Sequence, residues 1–283
     1  MDSTPHVETP QILKFWGVRG STPSPGPSTL RYGGNTSCVE IRLGGKHFII
    51  DAGSGIRALG GSLLREFGKT PLDLTMLIGH THWDHIQGFP FFTPAYIPGN
   101  HIAIYGRHGI RDAFDGQMDG GQYFPIKLSM MASKLDFRVF EESGFSVGDV
   151  NITTSTTAHP GGCNAYRLEY GGKSVVYLSD HETGGDHDVN IYEFIKDAQV
   201  VVADSQYDGI EMAARKGWGH GCVDTVVAMA VKANVKRLYL FHHDPTHDDE
   251  FMDKFVLRAK EDVVALNSTM EVDAAREGVT VTL

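Results

Sequence analysis

The chain has 283 residues, of which 41% are hydrophobic and 21% charged, and its formal net charge is −10. That composition belongs to a folded protein with a sizeable core and excludes a disordered or low-complexity chain. The acidic balance argues against a broad nucleic-acid surface, which is normally basic, and no apolar run is long enough to cross a membrane.

Residues 1–10 are polar, without the apolar segment of a secretory signal, and read as a flexible N-terminus ahead of one domain over 11–283. Cys38, Cys163 and Cys222 are scattered, with no CxxC pair, which points to free thiols and a cytoplasmic protein. Ile12 to Trp16 reads as a first strand, and the Gly- and Pro-rich stretch from Gly17 to Pro27 as a loop. Ser37 to Arg42 and Lys46 to Ile50 read as strands joined at Gly44-Gly45, a hairpin signal. Ile56, Leu59, Leu63, Leu64 and Phe67 have helical spacing, and Gly68 ends that helix.

The apolar run from Leu72 to Ile78 reads as a buried strand that delivers the chain to Gly79-His80-Thr81-His82-Trp83-Asp84-His85. His80 and His82 are two apart, so in an extended chain they point the same way. Asp84 and His85 follow a bend and can face a second ion nearby. Imidazole with carboxylate suits zinc, manganese or iron. Next comes Phe89-Pro90-Phe91-Phe92-Thr93-Pro94-Ala95-Tyr96-Ile97-Pro98, whose prolines bar a regular helix, so it reads as an apolar loop crossing the sheet edge. Such bulk is unfavourable in water, so the loop either folds back on its own sheet or forms a pocket wall and part of a homodimer contact, with Phe92 and Tyr96 as candidate substrate contacts on which a flat ring could stack.

His101 to Tyr105, Phe137 to Phe140, Asn151 to Thr157, Ala165 to Tyr170 and Ser174 to Leu178 read as strands, while 111–135 gives no clear period. The remainder alternates, with helices over Asn190 to Ile195, Val223 to Lys232 and Asp248 to Ala265. Strands fall at Gln199 to Ala203, Arg237 to Phe241 and Val279 to Leu283. Hairpin-linked strands early and alternating elements late imply two mixed sheets face to face with helices outside. Strands end at Asp51, His80, Asp180, Asp204 and His242, and His159 follows another, so one rim would gather these groups. Asp51 and Asp204 suit orienting a ligand as well as binding one.

HxHxDH followed by His159, Asp180 and His242 resembles the metallo-β-lactamase superfamily. The resemblance implies a four-layered αββα sandwich with two divalent ions, zinc or manganese, at the sheet rim. His80, His82 and His159 would hold one ion, Asp84, His85 and His242 the other, with Asp180 between them. Phe241-His242-His243-Asp244-Pro245 looks like the last ligand strand of ribonuclease Z relatives, which selects His242 over His243. Gly17-Val18-Arg19-Gly20-Ser21-Thr22-Pro23 and Tyr32-Gly33-Gly34-Asn35-Thr36-Ser37-Cys38 look like the N-terminus of the phosphodiesterase branch. Gly219-His220-Gly221 is similar to a ribonuclease Z element that brings a histidine to the scissile phosphate. The His-Glu-Ala-Thr element of ribonuclease Z is Ala203-Asp204-Ser205-Gln206 here, without its histidine.

The implied activity is hydrolysis of cyclic nucleotides, with Asp84 and His220 catalytic and His220 also a candidate substrate contact. A tRNA substrate is disfavoured, because His159 and Asp180 are too close for the basic arm of tRNA-processing relatives. A thioester or lactam hydrolase would use the same ligands, and a nucleotide-sequestering protein would need no chemistry. A di-iron redox protein of this superfamily would carry Glu in place of His82.

Overall fold

Strand residues that alternate between two buried faces divide the chain into two sheets. A computed structural model describes residues 10–140 and 144–283. The expected flexible N-terminus, apart from Pro10, lies outside the described residues. One sheet has seven strands in the order β14-β1-β2-β3-β4-β5-β6: β1 Ile12–Gly17, β2 Cys38–Leu43, β3 Lys46–Ile50, β4 Asp73–Leu77, β5 His101–Gly106, β6 Lys134–Val139 and β14 Thr280–Thr282. The other also has seven, ordered β13-β12-β11-β10-β9-β8-β7: β7 Phe145–Val147, β8 Val150–Thr157, β9 Cys163–Tyr170, β10 Lys173–Leu178, β11 Val200–Asp204, β12 Arg237–Phe241 and β13 Glu271–Ala274. Each sheet is parallel over four adjacent strands, β3 to β6 and β10 to β13, and antiparallel elsewhere.

The inner parallel strands β4, β5, β10 and β11 are buried on both faces, which explains their largely apolar sequences. In β10, Val175 and Tyr177 face the other sheet, while Val176 and Leu178 face helices. In β5, Ala103 and Tyr105 point between the sheets and Ile102 and Ile104 outward. The outer face of the first sheet is covered by α1 (Ile56–Phe67) and α3 (Ile110–Gln117). That of the second is covered by α4 (Asp188–Ile195), α6 (Val223–Lys232) and α7 (Asp249–Ala265). The layers are therefore αββα. Two short helices lie near the rim, α2 (Trp83–Ile86) and α5 (Gly209–Ala214).

Sequence patterning misses β7, β13 and α5, and leaves α3 within a stretch read without a clear period. The two strands have three and four residues, and α5 buries none of its side chains, so none carries a period. The segment read as an irregular apolar loop forms two 3-10 turns, Phe89–Phe91 and Thr93–Tyr96, with Pro90 and Pro94 in their second positions, still within the first turn, where a missing N–H is tolerated.

Candidate metal centre

The candidate site lies where the carboxyl ends of both sheets' strands meet. Three strand-end residues adopt the left-handed backbone region: Asp51 after β3 (φ 61°), Asp180 after β10 (φ 56°) and His242 after β12 (φ 61°). This conformation is uncommon outside glycine and turns the chain sharply at the rim, so the side chain stays over the site while the backbone leaves. His82 is the extended residue before α2, and Asp84 and His85 follow in its single turn.

His80, His82 and His159 bring ligand atoms within 4.8 Å of one another, as do Asp84, His85 and His242, and as do His80, His85 and Asp180. Asp180 lies between the first two groups. Its Oδ1 is 3.8 Å from His159 Nε2 and 3.5 Å from His242 Nε2, and its Oδ2 is 3.2 Å from His85 Nε2. His242 Nε2 is 3.1 Å from Asp84 Oδ2, and His82 Nδ1 is 3.1 Å from His159 Nε2. Among the described residues, His80 Nε2 and His85 Nε2 are buried without a hydrogen-bond partner. Such nitrogens are unfavourable unless something coordinates them. They sit amid a donor set of imidazole and carboxylate, which fits zinc or manganese.

The imidazoles are held from behind. Asp51 Oδ2 is 2.7 Å from His85 Nδ1 and also accepts from Tyr177 Oη at 2.7 Å, while its Oδ1 accepts from the Gly79 N–H. Gln206 Oε1 accepts from His242 Nδ1 at 2.9 Å, and the Gly219 carbonyl from His159 Nδ1 at 2.9 Å. Asp204 Oδ2 is 2.8 Å from His220 Nδ1 and so serves an imidazole that opens into the pocket. Partners of this kind fix the ring's orientation and tautomer.

Residues 46–243 match the β-lactamase superfamily domain. The chain belongs to this superfamily. The ribonuclease Z of Picrophilus torridus is 35% identical over 287 aligned positions, taking in 84% of this chain and 87% of that protein. The probable metallo-hydrolase YhfI of Bacillus subtilis is 24% identical over 227 residues, 76% of this chain and 83% of that one. The crystal structure of YhfI superposes with a TM-score of 0.70 at 21% identity, covering 97% of this chain and 99% of that one. Unliganded yeast PDE1 shares the fold with a TM-score of 0.69 at 12% identity, over 97% of this chain and 99% of that one. The protein is a metallo-β-lactamase-fold hydrolase of the ribonuclease Z-like branch. Its described residues include no helix long and apolar enough to cross a membrane.

Within this hydrolase the electrostatics follow from crowding. Burial pushes the Asp84 carboxyl up, but the imidazoles of His85 and His242 outweigh it and hold the group well below the usual carboxylate range. Asp180 is held low in the same way by His242, His85 and His80. Burial opposes the charge on His242, yet Asp180, Asp84 and Asp204 raise it to about 9. His80 is pushed well down by burial and then by neighbouring His85. Cations that enter such a cluster must displace protons from it.

His243 turns away from the site. Its Nε2 donates to the Ala275 carbonyl at 2.9 Å, and burial lowers it to about 3. The two N-terminal motifs explain how the last strand end is clamped. Arg19 is fully buried and donates to the carbonyls of Gly33, Asp244 and His247, at 2.7, 3.0 and 2.6 Å. Ser21 N–H donates to Asp84 Oδ2 at 2.8 Å. A Cβ at Gly20 would lie 2.3 Å from His242 Nδ1, so only glycine fits there. Sequence reasoning noticed these motifs but gave no role to Ser21, Gln206 or Tyr177, whose partners are remote in sequence.

One expectation is corrected. Phe92 is fully buried, packed with the apolar residues beneath α1 and against Gly60, so it is core and not a pocket wall. Tyr96 is half-buried, with its hydroxyl on the Pro90 carbonyl at 2.7 Å. A cavity of about 420 Å³ at the centre is lined instead by Ser21, Thr81, His82, Trp83, Asp84, Asp180 and His220.

Proposed function

We propose that the protein is a dinuclear metal-dependent phosphodiesterase that opens a 3′,5′-cyclic nucleotide to the nucleoside monophosphate. The observation that carries this reading is the pair of ligand clusters around Asp180, with the Asp204-held imidazole of His220 opening into the same cavity. His80, His82 and His159 would hold one ion and Asp84, His85 and His242 the other, with Asp180 shared. Bound there, two divalent ions supply an activated water and neutralise the phosphate oxygens.

The chain's own groups handle the protons. Asp84, kept ionised among imidazoles, takes the proton of the attacking water as the new P–O bond forms. His220 gives its proton to the ribose 3′ oxygen as the P–O3′ bond breaks. Asp204 stabilises the charged imidazole and aims its free nitrogen at the cavity.

A small substrate is favoured by the short β9–β10 connection. Gly171 and Gly172 make the whole turn, with φ of 57° and 77°, so nothing between His159 and Asp180 serves as an RNA-binding arm. A nuclease acting on RNA 3′ ends is the second reading, favoured by the 35% identity to a ribonuclease Z. A second copy of the chain suits the exposed apolar side chains Phe91, Tyr123 and Met130, and light scattering would report the homodimer. Three buried free cysteines agree with a cytoplasmic location.

The deciding experiment compares 3′,5′- and 2′,3′-cyclic nucleotides, bis-p-nitrophenyl phosphate, a tRNA precursor with a 3′ trailer and a thioester, with zinc and with manganese. Turnover of the thioester or the tRNA precursor, with none of the cyclic nucleotides, would overturn the reading.

A further inference from the structure

Two tryptophans stand in water beside a polar site. Trp83 is 81% exposed and Trp218 61% exposed, unusual for the largest apolar side chain. Trp83 is the one large apolar group among the cavity's lining residues.

Neither ring sits on slack chain. Trp83 lies between His82 and Asp84 and opens α2, where its carbonyl accepts from the Gln87 N–H at 2.7 Å. Trp218 lies between Gly217 and Gly219, and the Glu182 carboxylate accepts both glycine N–H groups at 2.8–2.9 Å. Its own N–H donates to the Arg215 carbonyl at 3.1 Å. The two segments meet at one imidazole: His159 Nε2 is 3.1 Å from His82 Nδ1, and its Nδ1 is 2.9 Å from the Gly219 carbonyl. A Cβ on Gly219 would fall 2.3 Å from that ring, so the Trp218 segment is pressed against it. Both indoles thus leave from segments tied to the His159 ring, Trp83 next to His82 and Trp218 next to Gly219, and neither is used by the hydrolytic chemistry.

We infer that Trp83 and Trp218 are the base-recognition surface of the enzyme, on which the flat heteroaromatic base of a nucleotide stacks while its phosphodiester lies over the ligand clusters. The inference rests on the phosphodiesterase reading and adds the substrate's second half. Every base has a π-face, so stacking of this kind binds nucleotides with little preference among bases. It replaces the contact that the sequence suggested for Phe92.

The test compares 3′,5′-cyclic AMP with the cyclic phosphate of 1-deoxyribose, which lacks a base. Trp83→Ala and Trp218→Ala should each raise KM for cyclic AMP roughly tenfold. They should leave KM for the base-free ester within about twofold, and Trp83→Phe should restore most of the loss. Metal content should be unchanged. Equal effects on both esters, or none on either, overturn the proposal, as does a wild type that does not prefer the ester with the base. Loss of a dimer in Trp83→Ala, with KM unchanged, would make the ring a subunit contact and also overturn it.

Should the wild type hydrolyse no phosphodiester, the function reading fails while stacking is still decided by binding. AMP, but not ribose 5-phosphate, should quench the indole fluorescence, and the quench should shrink in each alanine variant. Trp16, bonded through its Nε1 to Glu40, supplies a constant background. No difference between the two ligands would refute base stacking.

Discussion

Removing the imidazole of His220 should separate two kinds of leaving group. His220 and Asp204 are both buried and 2.8 Å apart, so the pair becomes a charge-assisted hydrogen bond whenever both ring nitrogens carry protons. General acid catalysis is worth about 10²–10⁴ in rate, and His220→Ala should lower kcat for 3′,5′-cyclic AMP by that order, because the ribose oxygen leaves only with a proton. On bis-p-nitrophenyl phosphate the loss should stay below about tenfold, since p-nitrophenolate leaves unprotonated. Asp204→Asn keeps the shape and removes the charge. A hydrogen bond to a charged group contributes about 1.5–3 kcal/mol, so this variant should lose roughly 10- to 150-fold on the cyclic nucleotide. The assay is steady-state kinetics on both substrates with metal stoichiometry measured on the same preparations. Equal losses on the two substrates would refute proton donation and leave His220 as a phosphate-holding group.

Three further outcomes are expected. Asp180→Ala removes the carboxylate central to the clusters, so elemental analysis should fall from about two ions per chain to one or fewer, with turnover reduced by at least about 10³; full occupancy in the variant would contradict the shared role. Phe92→Ala should destabilise the protein by about 3–5 kcal/mol in denaturant unfolding without changing KM, because the ring is core. His243 is held near 3 when folded, below its unfolded value of about 6.5, so the unfolded chain binds more protons between those values. Stability therefore rises with pH across that window, by up to about 1.4 kcal/mol per unit, and is level above it. In His243→Gln that part of the slope should vanish, and an identical slope in both proteins would refute the assignment.

The sequence carries most of the layer plan because burial on two faces leaves a mark. α1, α6, β3 and β12 begin and end where their apolar periods do. The rim was legible for the same reason: a polar residue directly after an apolar strand, as at Asp51, Asp180, Asp204 and His242, has nowhere to go but the sheet edge. Exposure was not legible. Phe92 and Trp83 are both bulky aromatics near the HxHxDH motif, and no local pattern tells which one turns under α1 and which stands in solvent. Pairings such as Gln206 with His242 were equally hidden, because they depend on how neighbouring strand ends line up in the folded sheet.

Each of the two candidate clusters is closed across the core between the sheets. His80, His82 and His85 leave from the first sheet, while His159, Asp180 and His242 leave from the second. How closely first-sheet and second-sheet ligands approach in each cluster is therefore set by how the sheets pack and not by either loop. Three contacts across the seam fix it: Tyr177 Oη to Asp51 Oδ2 at 2.7 Å, Tyr166 Oη to the Ile78 carbonyl at 2.6 Å, and the Asn164 N–H to the Gly79 carbonyl at 3.1 Å. Both tyrosines are fully buried, so their hydroxyls depend on these partners. Asp51 serves twice, accepting from a second-sheet tyrosine and holding a first-sheet imidazole. A shift of one sheet over the other would thus misplace His85 before it exposed any apolar surface. The left-handed turns at Asp51, Asp180 and His242 are strained, and two packed cores and a double row of parallel strands hold them in place. The rigidity of the sandwich is what allows seven imidazoles and carboxylates to stand this close without the site opening.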